Sequence, residues 1–149
     1  MIGLLQRVAE ASVSVDSSEV ARIGPGLLVL IGIERGDGDR EVGRLLERLI
    51  TYRVFPDAAG RMNLSLKDTG GGLLLVPQFT LAAATRKGTR PGFSPAAAPE
   101  DGERLFRTLV ARAQARIDGA QGAPFGAHMR VSLVNDGPVT FWLQVPPVP

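Results

Sequence analysis

The sequence predicts a single α+β domain, with curved, largely antiparallel, barrel-like β-sheets covered by two main amphipathic helices. Three observations lead there. Alternating or continuous apolar runs of strand length recur along the chain. Two stretches, about 40–52 and 99–117, repeat their apolar residues at helical spacing instead. The chain has 149 residues, 44% hydrophobic and 21% charged, which suits one core and leaves no composition shift to mark a linker.

"LLQRVAEASVSVD" opens as a strand, clearest at Ala11, Val13 and Val15, where serines alternate with apolar residues. "SSEVARIGPG" reads as a polar turn, a short strand and a Gly-Pro-Gly corner. "LLVLIGI" is apolar throughout, the pattern of a strand buried on both faces. "RGDGD" breaks the run, with Asp39 suited to cap a helix. In that helix Val42, Leu45, Leu46, Leu49 and Ile50 form one apolar stripe. "YRVF" leaves it as a strand, "PDAAGRMNLSLKDTGGG" is loop-rich, and "LLLVPQFTL" is a second buried-strand run. The second helix turns Leu105, Phe106, Leu109, Ala113 and Ile117 inward. "HMRVSLV" and "VTFWLQV" flank "NDGPVT" and are predicted to form a terminal hairpin. The domain spans residues 1–145, and residues 146–149 are a frayed tail.

Composition removes several kinds of chemistry. With no cysteine, disulfides and thiolate metal sites are out, and a cytoplasmic protein is expected. No apolar run is long enough to span a bilayer as a helix, and the first residues lack a signal peptide's pattern. His128 is the sole histidine, so a His-rich zinc site is unavailable, and any Ser-His-Asp relay would run through that one ring. A histidine on a strand surface is the simpler reading.

Three stretches carry candidate chemistry. In "VPQFTL", Gln78 and Thr80 are two apart and would share one face of a strand, lining a pocket or decorating the surface. Pro77 offers no N–H to a ladder and belongs on an edge or at a bulge. "TRKGTRPGF" sets Arg86, Lys87 and Arg90 in one loop, either a solvated basic surface or a phosphate contact. In "NDGPVT", Gly137 leaves room for close approach, and the following X-Pro bond is where a cis peptide costs least.

Together, "QRV" (6–8), "GLLVLIGI" (26–33), "MNLS" (62–65), "PQFTL" (77–81), "RPGFS" (90–94) and "VSLVNDGPVTFWLQV" (131–145) closely resemble the D-aminoacyl-tRNA deacylase family, also called D-tyrosyl-tRNA deacylases. The resemblance covers nearly the whole chain. Its diagnostic features are the "SQFTL"-type strand and the "NxGPxT" turn, the latter intact as Asn135, Gly137, Pro138 and Thr140.

The resemblance implies a homodimer that hydrolyses the ester between a D-amino acid and the 3′ end of tRNA, without metal or organic cofactor. It implies no DNA or membrane partner. It also implies a cis Gly137–Pro138 peptide that enters the partner's active site as a chiral filter, supported by Arg7. Gln78, Phe79 and Thr80 would line the catalytic pocket, with Met129 nearby, and glycyl-tRNA, having no side chain to reject, would be a second substrate. It further suggests that the substrate's own 2′-OH helps to activate water while N–H groups near Phe79 and Thr80 stabilise the oxyanion. Arg86, Lys87 and Arg90 are candidate tRNA-phosphate contacts.

This chain departs from the family pattern at Pro77, where serine is usual, and at "RPGFS", where "RPSF" is usual. His128 stands where an acidic residue is frequent and receives no role. Two competing readings follow from the residues: an RNA-end binding module that has lost catalysis through Pro77, or a hydrolase of small esters with Thr80 as nucleophile. The basic loop argues against the second, since a small neutral ester needs no phosphate contact.

Overall fold

The computed structural model describes residues 1–148. Its strands and helices run in the order β1 (Ile2–Val15), β2 (Ser18–Ile23), β3 (Gly26–Gly32), α1 (Asp39–Thr51), β4 (Phe55–Pro56), β5 (Met62–Leu64), α2 (Leu66–Thr69), β6 (Gly72–Pro77), α3 (Pro99–Arg116), β7 (Gln121–Gly122) and β8 (Arg130–Gln144). The main sheet has the order β2-β1-β3-β6-β7, with β8 on the other edge of β1. Pairing with β1 is antiparallel, whereas β3–β6 and β6–β7 are parallel, so the sheet is mixed, with most of its paired residues antiparallel as expected.

The sheet curls into a nearly closed barrel because β1 serves two neighbours along one edge. Its first half pairs with β3 and its second half with β2. The seam between β2 and β7 is bridged by a side chain. Arg22 N–H donates to Gln121 Oε1 at 3.1 Å, and Gln121 Nε2 donates to Arg22 O at 2.6 Å. One amide thus takes the place of a ladder pair. Gln121→Ala is expected to cost about 1–2 kcal/mol, seen as a fall of a few degrees in Tm by thermal denaturation. An unchanged Tm would mean that water replaces the amide without loss.

Two apolar clusters explain the continuous runs. Leu28, Leu74, Val76, Val8, Val13 and Ile23 fill the barrel interior. Leu27, Val29, Ile31, Leu73 and Leu75 face the other way, against Leu45, Leu49, Leu105 and Leu109 of α1 and α3. β3 and β6 therefore bury both faces, as their sequences predict.

Several local expectations need correction. α1 begins at Asp39, whose carboxyl is exposed; the Gly38 N–H is instead capped by Glu41 Oε2 at 2.8 Å. The loop-rich stretch holds the short helix α2, started by Ser65, whose N–H and hydroxyl both donate to Asp68 Oδ2. The Ser65 N–H holds the Asp68 carboxyl below its ordinary value. Of "YRVF" only Phe55 is in a strand, as the first residue of the two-residue β4.

Near the start of β1, the Met1 ammonium is fully buried and donates to Glu34 Oε2 (2.9 Å), Asp37 Oδ1 (2.9 Å) and Val145 O (2.7 Å). Burial pushes the Asp37 carboxyl above its usual range, against the pull of this ammonium. The Val145 N–H returns a bond to Met1 O at 2.8 Å, so the chain is tied to β1 up to that residue. Of the remaining tail, Pro149 lies outside the described residues.

The main correction concerns the end of the chain: there is no terminal hairpin. Residues on both sides of "NDGPVT" belong to the single strand β8, and both pair with β1. Thr140 sits opposite Gln6 and Asn135 opposite Val8, so residues 136–139 bulge out against Arg7 alone. The chain leaves the ladder, makes an excursion and resumes in the same direction. The long β1 edge accounts for this, since it gives each flanking segment a partner other than its neighbour.

Candidate active site

"PQFTL" is not a continuous strand either. β6 stops at Pro77, and Phe79–Ala82 form one 3₁₀ turn. The Gln78 N–H makes the last bond to β3, to Ile31 O at 2.7 Å, while β7 pairs only as far along β6 as Leu75. The nitrogen of Pro77 therefore faces a side without a strand, which suits a residue that cannot donate. Gly32 allows the turn to pack on β3, because a Cβ there would lie 2.8 Å from that of Leu81.

The turn still brings Gln78 and Thr80 together, with Gln78 Nε2 donating to Thr80 Oγ1 at 2.5 Å. This partner is a donor and cannot accept the hydroxyl's proton, so the pair is not a nucleophile and its base. The N–H groups of Phe79 and Thr80 open the turn and have no intrahelical acceptor. Among the described residues they donate to nothing else either. Two adjacent backbone donors are thus left available at an exposed position.

Three clefts meet around them. An apolar cleft of about 270 Å³ lies between Pro77, Gln78 and Phe79 on one side and Pro99, Gly102 and Phe125 on the other. A second, of about 280 Å³, is bordered by Gln78, Phe79, His128 and Met129. The third borders Thr80 with Glu34, Pro95 and Trp142. Glu34 is already engaged by the Met1 ammonium and by Gln144 Nε2, and His128 is exposed on the rim. Among the described residues no group of three or more His, Asp or Glu side chains is placed to hold a metal ion.

The basic loop sits beside this turn. Ala84 and Gly92 exchange backbone bonds of 2.7 and 3.0 Å, closing a loop that displays Arg86, Lys87 and Arg90 in solvent without carboxylate partners among the described residues. Phe93 follows directly and packs on Phe79, with ring centroids 5.2 Å apart. Both rings are conspicuously open to water, 59% for Phe79 and 43% for Phe93. Sequence reasoning missed this pair, because nothing local ties Phe79 to Phe93.

Gly137 and Pro138 do not border the clefts at Gln78 and Phe79. Their peptide bond is cis, and they project from the middle of β8. Arg7 lies against the excursion, with Nε donating to Asp136 O at 2.9 Å and Nη1 to Val54 O at 2.7 Å. Asn135 and Thr140 close its base through side-chain bonds. Among the described residues the outer edge of β8 has no partner strand, and Val131, Val134 and Trp142 are exposed on β8.

The family of D-Tyr-tRNA(Tyr) deacylases matches residues 4–144. The chain belongs to that family. A D-aminoacyl-tRNA deacylase of Thioalkalivibrio sulfidiphilus is 64% identical over 147 residues, covering 99% of both chains. One of Nitrosococcus oceani is 62% identical, covering 99% of this chain and 95% of its own. A solved structure named c-Myc DNA unwinding element binding protein superposes with a TM-score of 0.93 at 34% identity, over 98% of this chain and 99% of its own. The deacylase family is one of hydrolases, and the barrel with its covering helices is the fold shared with this neighbour. No helix among the described residues is long and apolar enough to cross a membrane.

Proposed function

We propose that residues 1–145 form a deacylase domain that hydrolyses the ester linking a D-amino acid to the 3′ end of tRNA, releasing free amino acid and tRNA. The observation that carries this reading is the pair of unpaired N–H groups at Phe79 and Thr80, set beside a Thr80 hydroxyl whose side-chain partner is the Gln78 amide rather than a base. Such donors suit an oxyanion, and a threonine hydroxyl faced by an amide donor suits a scheme in which the substrate brings its own activating hydroxyl, the 2′-OH of the terminal ribose. Gln78 orients Thr80, Met129 borders the neighbouring cleft, and Arg86, Lys87 and Arg90 receive phosphates at the tRNA end.

Chiral selection belongs to Gly137 and Pro138. The two enantiomers carry the same groups, so only a steric obstacle on the path of the L side chain separates them. Backbone carbonyls at the excursion would hold the substrate's α-amino group and fill that path. Glycine has no side chain to reject, which makes glycyl-tRNA a second substrate. Because Gly137 and Pro138 lie outside the clefts at Gln78, the reading requires a homodimer in which each excursion enters the partner's site. The open edge of β8, with its exposed Val131, Val134 and Trp142, supports that assembly. A tRNA substrate implies action in the cytoplasm, and no metal or organic cofactor enters the scheme.

The test is to incubate the protein with D-tyrosyl-tRNA and L-tyrosyl-tRNA and follow release of free tyrosine. D-selective release is the expected result. No D-selective release at substantial protein concentration would overturn the reading, and tRNA binding without turnover would favour a binding module instead.

A further inference from the structure

We infer that Asn135 is a positioning residue that sets the orientation of the Gly137 and Pro138 carbonyls, and so sets how sharply the two enantiomers are separated. This rests on the reading of the excursion as the chiral filter. Residues 136–139 have no ladder partner, so something other than the sheet must fix them. From β1, Arg7 holds the first residue by its bond to Asp136 O. The other end is held by one side chain. Asn135 Oδ1 accepts from the Val139 N–H at 2.7 Å, and Asn135 Nδ2 donates to Thr140 Oγ1 at 2.9 Å, with a longer approach of 3.4 Å to Val139 O.

The amide uses its acceptor and its donor at once, drawing residues 139 and 140 back onto residue 135. Between the Arg7 bond and the Asn135 bonds lie Gly137 and Pro138, whose carbonyl oxygens accept no side-chain hydrogen bond among the described residues. They are held only by their neighbours. Their direction therefore follows from where Val139 is pinned. Aspartate at 135 would keep the acceptor for the Val139 N–H and lose the donor, and alanine would lose both.

The experiment measures kcat and KM for D- and L-tyrosyl-tRNA with Asn135→Ala, Asn135→Asp, Thr140→Val and Gly137→Ala. Asn135→Ala is expected to lower the D-over-L ratio of kcat/KM by about tenfold or more, the scale of a small misplacement in a site. The change should appear as a raised KM for the D-ester together with gained hydrolysis of the L-ester. Asn135→Asp and Thr140→Val should each give a smaller shift in the same direction, and they carry the test if the alanine variant does not fold. A ratio within about twofold of the unsubstituted protein, or an equal loss of kcat for both enantiomers, would overturn the inference. If Gly137→Ala alters the ratio and the Asn135 variants do not, only this inference fails. If Gly137→Ala also leaves the ratio unchanged, the filter reading itself fails.

Discussion

Gly137→Ala is expected to lower deacylation of D-tyrosyl-tRNA by about a hundredfold while leaving the fold intact. Gly137 has φ +143°, a conformation that side chains rarely adopt and that costs about 1–3 kcal/mol when imposed. A Cβ there would lie 2.6 Å from Val139 Cγ2, 2.9 Å from Val139 N and 3.3 Å from Arg7 Nη2. The methyl of Val139 can rotate away, but its backbone nitrogen cannot. The excursion must move, and the Asn135–Val139 bond moves with it. Ladder pairs on both sides of the excursion remain, so circular dichroism and thermal denaturation should report a folded protein. The methyl points back into its own loop rather than toward a substrate, so the loss arises from displaced carbonyls. An unaltered rate in a folded variant would mean that this excursion takes no part in catalysis.

The sequence makes the strands and helices readable where burial is one-sided or complete. β3 and β6 are legible because both faces are covered, which leaves an uninterrupted apolar run. α1 is legible because Val42, Leu45, Leu46 and Leu49 lie on one stripe, all buried. The "NDGPVT" segment reads as a reversal in the sequence, since Asp-Gly between apolar runs looks the same whether the flanking strands pair with each other or with a third. Only β1, long enough to serve both, decides between them. Gln121 and the Phe79–Phe93 pair were invisible for a related reason: each meets a partner far away in sequence or across a loop. The residues of the proposed site were legible through resemblance rather than patterning. Gln78 and Thr80 meet as a strand reading anticipates, but across a 3₁₀ turn. That difference matters chemically, because a continued strand would have turned the Thr80 N–H toward β3 and left only that of Phe79 free.

Those free donors give the second large expected effect. A D-aminoacyl-tRNA ending in 2′-deoxyadenosine should be hydrolysed about a thousandfold more slowly than its ribose counterpart, within the range attributed to positioned proton transfer. The substitution touches no protein atom, so the loss reports the hydroxyl alone once KM has been measured separately from kcat. Thr80→Ala provides the contrast. It removes the Oγ1 that accepts from Gln78 but retains the backbone N–H at position 80, and it is expected to cost less than about tenfold. A nucleophilic threonine reverses both results: the alanine variant would be inactive though folded and able to bind tRNA, and the deoxy substrate would turn over normally. The two outcomes separate cleanly because the side chain of Thr80 faces an amide donor, whereas its backbone N–H faces no acceptor among the described residues. Chemistry that runs through the side chain fails with the alanine variant; chemistry that runs through the backbone and the substrate's ribose fails with the deoxy substrate.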